Sequence, residues 1–436
     1  MNTSYTNRKL VLAYPTLFNT QAGLDIVIPT NLIDGRHPQT TPTFHGVVPF
    51  REEFRDCGGE YVYIEKLNGK LARFTIGFDA TALFLAGWFA YLQGVSATPT
   101  GTPANETQTF TFGGATSGSA KLNFDFEGLS GTTAALNFDA TNAQILTALE
   151  SLRPIKAGNV SISGTTTKTI TFIGALANAN VPLLTVSDDT TAGGTGAAIA
   201  AGTAGANKLH SISRTTTGKP VKFSLIEGFE GEADGTKKYK NLCTNDITIG
   251  FTRGGKVTVT IVAYGSAYPE TLTGYSMPAC SNFDPLLARD CRMKIGSNWI
   301  GGDLRELQFT ENNNIDISED VIKWDGFDID ELELGDRTSQ ITATILGSPT
   351  SDLYELAEVE DTAFAAFQLA FGRPGERLTV YAPNTQFRLE DGLIQFVGNK
   401  NKSAFAINGR PSPDGSGIVT RGEYHGAHTQ QFLLTS

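Results

Sequence analysis

The stretch FTIGFDATALFLAGWFAYLQG, Phe74 to Gly94, constrains this chain more than any other. A short alternating run leads directly into one strongly apolar helical segment. Asp79 stands where a helix cap belongs, its carboxylate able to accept free N–H groups of a first turn. Ala80 to Gln93 then presents Leu83, Phe84, Trp88, Tyr91 and Leu92, apolar around most of the helix circumference. Gly94 supplies a left-handed stop. A helix of this kind needs cover on most sides, so it reads as the plug of a β-rich body or as a piece packed at a subunit contact.

The rest of the chain has the composition of such a body. With 47 Gly and 18% charged residues, it favours short strands and turns over helical bundles. Its 436 residues predict two or three domains. Residues 1–45 read as an extended amino-terminal arm, with VLAYP and LDIVIP as short strands and no evident partner in its own domain. Strands are expected at Val47–Phe54, Glu60–Glu65 and Leu71–Ile76, with a hairpin turn at Asn68-Gly69.

Composition changes abruptly over 98–207, which is rich in Thr, Ala, Gly and Asn. Its flanks, SATPTGTPANET and DDTTAGGTGAAIAAGTAGAN, read as flexible linkers. Between them, QTFTFGG, AKLNFDFEG, TAALNFD, NVSISG, KTITFIG and LLTVSD alternate as strands around a helix on TNAQILTALESL. That helix has Thr141 or Asn142 as its cap and Ile145, Leu146, Leu149 and Leu152 as its apolar stripe. This is an inserted β-rich α+β domain.

The first composition then resumes. KPVKFSLIEGFEG is a strand, and KNLCTNDITIGFTRGGKVTVTIVAYG is a hairpin turning at Arg253-Gly254-Gly255. FTRGGK lacks the spacing and the Lys-Ser/Thr end of a phosphate loop, so it reads as a turn. Residues 46–97 with 208–280 form a first module. Residues 281–436 form a second, with a helix expected within Asp352–Phe371 between alternating strands. Strands, apolar helix, strands is the order of both, and the two modules read as superposable copies of one fold.

Chemistry is harder to find. Asp328, Asp330, Glu331 and Glu333 form the densest acid cluster, and Glu227, Glu230, Glu232 and Asp234 a second, but neither makes a calcium-loop pattern. Asp328 and Asp330 would share one strand face, with no His or Lys beside them. His425 and His428, beside Glu423, fall three apart in a Gly-rich segment that favours a strand or loop over a helical metal site. Cys57, Cys243, Cys280 and Cys291 lack zinc spacing and read as free thiols. No catalytic, metal or cofactor residue is assigned, and the chain reads as a non-enzyme. The net charge of -11 argues against a nucleic-acid-binding surface but suits an acidic channel through which nucleic acid slides without sticking. The opening MNTSYTNRKLVLAYPTLF has no signal-peptide pattern, and no apolar stretch is long enough to span a membrane.

EYVYIEKLNGKLARFTIGFDATALFLAGWFAYLQG, a strand pair feeding a helix, and the long hairpin KNLCTNDITIGFTRGGKVTVTIVAYG carry a resemblance to the tail tube (major tail) proteins of long-tailed bacteriophages. The inserted segment resembles a small domain recurring in phage structural proteins and, in tails, usually decorates the outside of the tube. The resemblance implies two β-sandwich or barrel modules, each with a flanking helix. It implies rings of this chain, trimeric if both modules count or hexameric, stacked into a hollow tube in the virion tail after assembly in a host cytoplasm. Implied partners are the tape measure, terminator and distal tail proteins, with phage DNA passing through the lumen and no membrane anchor. Lys256, Val257, Val259, Ile261 and Tyr264 are the expected inter-subunit pairing strand; no lumen-facing acid is singled out. Two other readings stay open: a tail-associated adhesin binding a receptor or carbohydrate, and a hydrolase with an accessory β domain. An adhesin calls for clustered exposed aromatics, whereas Phe110, Phe112, Phe124, Phe126, Phe138 and Phe172 alternate within strands as a core would.

Overall fold

Alternating β-branched and aromatic residues carry most of the chain into strands. The computed structural model describes residues 8–14, 26–27, 43–55, 62–94, 97–213, 223–229, 236–266, 270–273, 285–300, 304–315, 335–346, 364–389, 395–396, 403–416 and 418–427. In chain order, the first elements are β1 (Arg8–Tyr14), β2 (Ile26–Val27), β3 (Thr43–Arg55), β4 (Val62–Asp79) and helix α1 (Ala82–Gln93). The inserted segment follows with β5 (Thr107–Thr111), β6 (Ser119–Phe126), β7 (Leu129–Thr132), β8 (Leu136–Asn137), α2 (Asn142–Glu150), β9 (Val160–Ser163), β10 (Thr167–Phe172), β11 (Thr185–Ser187) and β12 (Ala198–Ala201). The body resumes with β13 (Lys208–Ser213), β14 (Phe223–Phe229), β15 (Thr236–Thr252), β16 (Thr258–Ser266) and β17 (Glu270–Leu272). The second half holds β18 (Cys291–Ile295), β19 (Asn298–Ile300), β20 (Leu304–Asn312), β21 (Thr338–Leu346) and β22 (Phe364–Arg373). It ends with β23 (Glu376–Leu389), β24 (Gln395–Phe396), β25 (Ser403–Pro411) and β26 (Arg421–Gly426). The fold is mainly β.

The pairing scheme of the first half recurs in the second. In the first, β2 pairs β1, β1 pairs β14, β14 pairs β15, β15 pairs β16 and β17, β16 pairs β4, and β4 pairs β3. In the second, β19 pairs β18, β18 pairs β22, β22 pairs β23, β23 pairs β25 and β26, β25 pairs β21, and β21 pairs β20. Every pair is antiparallel. The halves join where β15 pairs β20, from Asp246↔Asn312 to Thr252↔Glu306, and again where β13 pairs β26, from Lys208↔Gly426 to Ser213↔Arg421. The central order is therefore β3-β4-β16-β15, then β20-β21-β25-β23. Each strand of the second set occupies the place of its counterpart in the first.

Helix α1 lies against β13, β15, β23 and β26, strands from both halves, so the sheet wraps around it. Apart from Leu83, its residues are buried. Trp88 meets the Phe223 ring edge-on at 5.2 Å, and Tyr91 meets the same ring at 5.5 Å. Each such side chain contributes about 1.5–3 kcal/mol on burial, which explains why a helix with no polar face is stable here. Thr81, not Asp79, caps it: the Thr81 hydroxyl accepts the Phe84 N–H at 3.2 Å. Asp79 is the last residue of β4 and pairs instead with Lys256 at 2.7 Å. Gly94 ends the helix at φ 80°, its N–H donating to the Ala90 carbonyl.

The inserted segment builds a core of its own. Phe110, Phe112, Phe124 and Phe172 are buried with Ile145, Leu149 and Ile170, and Phe126 and Phe138 pack against them. Two small sheets, β12-β5-β10-β9 and β11-β6-β7, flank the core. Thr141 and Gln144 form a reciprocal capping box on α2. The flanks are not the flexible linkers the composition suggested. Ala198–Ala201 is strand β12, paired to β5, and Thr100 and Ala104 bridge to Leu209 and Ala206. Small residues without charge suit close pairing as well as they suit a linker, and composition alone does not separate the two.

Four further expectations are corrected. The Phe364–Phe371 part of the second expected helix is strand β22, between β18 and β23; Asp352–Ala363 lies outside the described residues. Phe364, Phe367 and Phe371 imitate helical spacing, but a bulge between Ala365 and Phe367 resets the alternation, so that Phe367, Leu369 and Phe371 share the buried face. The copies therefore match in strand pairing, while a matching helix is not seen among the described residues. Asn68-Gly69 is no hairpin turn: β4 runs through it, and the shift from Phe50↔Gly69 to Arg51↔Leu67 makes Asn68 the extra residue of a bulge. The amino-terminal arm has a partner within the chain, since β1 pairs β14 from Arg8↔Phe229 to Ala13↔Ser224.

Candidate functional site

The seam between the halves shows what this sheet's edges can do. Ile247, Ile249 and Phe251 of β15 and Leu307 and Phe309 of β20 are buried in the same core as α1. On the opposite face, Thr248 and Thr310 hydroxyls lie 3.2 Å apart, and Gly250 and Thr252 stand opposite Gln308 and Glu306. The polar band continues sideways through Thr258 and Thr260 on β16, then Gln340, Thr342 and Thr344 on β21. Gln340 Nε2 donates to Asn408 Oδ1 at 3.3 Å. This face carries hydroxyls and amides, with an exposed Glu306 at one end and a half-buried Asp246 at the other. Burial raises the Asp246 carboxyl above its usual range.

A buried polar cluster locks the end of the seam. Glu311, on β20, is fully buried; it pairs with Arg337 and accepts hydrogen bonds from Gln93 Nε2 at 2.9 Å and Thr420 Oγ1 at 3.0 Å. Arg337 Nη2 donates to the same Thr420 hydroxyl. The carboxylate thus ties the last turn of α1 to both β20 and the carboxy-terminal segment. Asn245 accepts the Asn313 N–H on its carbonyl at 2.7 Å and the Ile315 N–H on its side chain at 2.8 Å. No feature of the sequence marked Glu311, because its partners come from three distant segments.

The expected pairing strand Lys256–Tyr264 lies in the interior of the sheet. Val259 is opposite Ile249 on one side and Phe78 on the other, and Ile261 is opposite Ile247 and Ile76. Tyr264 is opposite Cys243 and Arg73. Lys256 holds Asp79, and the Val257 carbonyl accepts the Ala80 N–H at 3.0 Å. With both ladders occupied, these residues cannot pair with another copy while the fold stands. A proline at Val259, costing about 3 kcal/mol or more inside a sheet, would therefore disrupt folding as well as any assembly. The edges lie elsewhere. Among the described residues β3 pairs with β4 alone, and β23 runs past its last β22 partner, Gln386, to Leu389. The signal that finds them is the correspondence of β3 with β20, visible once the pairing of both halves is known.

Asp328, Asp330, Glu331, Glu333, Glu230, Glu232, Asp234, His428, Cys57 and Cys280 lie outside the described residues. Glu227 lies in β14. Glu423 accepts a hydrogen bond from Tyr381, whose hydroxyl is pushed up to about 12 by burial and this carboxylate. His425 is held below its ordinary value by burial and by Arg377. Cys243 and Cys291 are buried, and burial raises the Cys291 thiol strongly. No group of metal-ligating side chains occurs among the described residues. No protein-family model matches the chain, and no curated protein matches it significantly.

Proposed function

We propose that this chain is the tube-forming subunit of a long bacteriophage tail, joined edge to edge into rings that stack around a DNA-conducting channel. The observation that carries the reading is the repeated strand order, β3-β4-β16-β15 then β20-β21-β25-β23, with β15 of one half sealed by β20 of the next. Since β20 holds the place of β3, the β3 edge of another copy would meet β23 as β20 meets β15. That contact is head to tail and closes into a ring when its rotation closes. Left open, two such edges are an aggregation hazard. Three chains of two halves each would make a pseudo-sixfold ring.

In this reading the hydroxyl- and amide-rich face opposite α1 lines the channel. A wall with few cations gathers no phosphates and lets a duplex slide. It differs from the strongly acidic wall that the net charge suggested, because the mid-strand residues of that face are mostly Thr and Gln. The inserted unit sits outside the ring, and tape measure, terminator and distal tail proteins meet the tube ends in the virion. No substrate is turned over.

Electron microscopy of the purified protein should show rings or tubes with a channel of roughly 20 Å or more, enough for a duplex. Proline placed singly at Thr43 and at Phe44 tests the edge. Neighbouring N–H groups point to opposite sides of a strand, so one proline breaks the β4 ladder and the other removes a donor on the free side, which an isolated edge tolerates. One variant should keep the monomer's melting temperature and lose the rings. A chain that stays monomeric at high concentration, also with the other tail components present, sinks the reading.

A further inference from the structure

The inserted unit leaves α1 in the first half but rests on the second. Glu127 pairs with Arg377 of β23, and Asn207 Nδ2 donates to the Gly375 carbonyl at 2.6 Å. A Cβ on Gly375 would lie 2.0 Å from the Ala177 carbonyl oxygen, so only glycine permits this approach. Beside the contact is a cavity of about 270 Å³, walled by the inserted unit on one side and by the β18 and β22–β23 region on the other.

Its charge opposes that of the chain. Arg153 and Lys156 enter from the inserted unit, and Arg289, Arg292 and Arg373 from the body. The two acids in the wall are already engaged: Glu127 by Arg377, and Asp290 by the Leu287 N–H at 3.2 Å. Arg292 donates through Nη1 to the carbonyls of Arg289 and Cys291 at 2.7 and 2.8 Å, while its Nε is buried without an acceptor among the described residues. A buried donor left unpaired costs about 1–3 kcal/mol, more on a charged group. Gathered cations repel one another as well. An anion entering the cleft relieves that repulsion.

We propose that this cleft binds a phosphoryl or sulfuryl group, free or borne at the end of a larger molecule, and so clamps the inserted unit to the body. Guanidinium forks match the tetrahedral oxygens of such groups with paired, charge-assisted hydrogen bonds. The volume lies below the 300–1,000 Å³ or so of drug-sized pockets, so the group enters and any carrier stays outside.

The test is calorimetric titration of the full-length protein with inorganic phosphate and, separately, with glycerol 3-phosphate, at low and high salt. Saturable binding that weakens with salt is expected. Equal affinities assign the site to the free group, and tighter binding of the ester assigns it to a carried one. R153A/K156A on the inserted unit and R289A on the body should each weaken binding about tenfold or more. Lys121→Ala, whose partner is Asp188 away from the cleft, should leave it unchanged. Melting curves confirm that each variant is folded. No saturable binding of either probe to the wild type, or unaltered affinity in both folded variants, overturns the proposal. Assembly into rings is not needed for any of these readouts.

Discussion

The inserted unit and the duplicated sheet are both β-rich, yet they end their strands differently. The inserted strands pair only among themselves around a core of their own. The body strands pair across the whole chain, and among the described residues β3 pairs with β4 alone while Phe387–Leu389 of β23 has only β25 beside it. The difference teaches that alternation makes a strand, while its neighbours decide whether the strand closes a domain or offers itself to another copy.

The largest effect should come from the body's buried ion pair. Arg337→Ala leaves the Glu311 carboxylate uncompensated in the core and should cost about 3–5 kcal/mol. Calorimetry should show the body's transition falling while the inserted unit's stays in place; a single shared transition that shifts as one would erase the distinction between the two regions. The reciprocal change is Ile145→Ala, at a fully buried position of α2. It should cost the inserted unit about 2–5 kcal/mol and leave ring formation intact. Rings lost with a folded body would mean that the inserted unit helps build the assembly.

Smaller effects sharpen the same contrast. Thr141→Ala removes the capping box of α2 and should lower only the inserted unit's stability, by about 1 kcal/mol. The mildest is a pH effect confined to the body. Because burial and Arg377 depress the His425 pKa, the unfolded chain binds a proton that the fold excludes. The body should therefore lose stability as pH falls below the ordinary value of 6.5, with the loss continuing down to the depressed folded value. Asp246 acts in the opposite direction, since burial favours its neutral form, but nearer the carboxylate range. His425→Asn should flatten the slope between pH 7 and 6; an unchanged slope would assign it to another group.

Much of the local structure was legible in the residues themselves. The apolar run of α1 with Gly94 after it, the Thr141 cap with Ile145 and Leu149 inward, and the turn at Arg253-Gly254-Gly255 depend on contacts within a few residues. Propensity, capping and periodicity report such contacts directly. Phe364–Phe371 misled because its aromatic spacing fits a helix until a bulge is known, and a bulge is set by the partner strands. Asn68-Gly69 misled for the same reason: it suits a tight turn, but the β3 ladder continues past it.

The candidate site was the least legible part. Lys256–Tyr264 has the alternation of any sheet strand, and nothing in it says which ladders are filled. The answer lies in β4, whose Asp79 is 177 residues from Lys256 in sequence yet bonded to it. Asp79 likewise looked like a cap because the cap position is local, whereas its salt bridge is not. The sequence by itself determined the β-rich class, the plug helix, the inserted unit with its capped helix, and the alternating strands of both halves. Tertiary structure alone decided which strands became interior, which became edges, and where buried charges such as Glu311 found partners. The physical reason is that side-chain alternation and caps are properties of neighbouring residues, whereas a strand's second hydrogen-bonded partner comes from elsewhere in the chain.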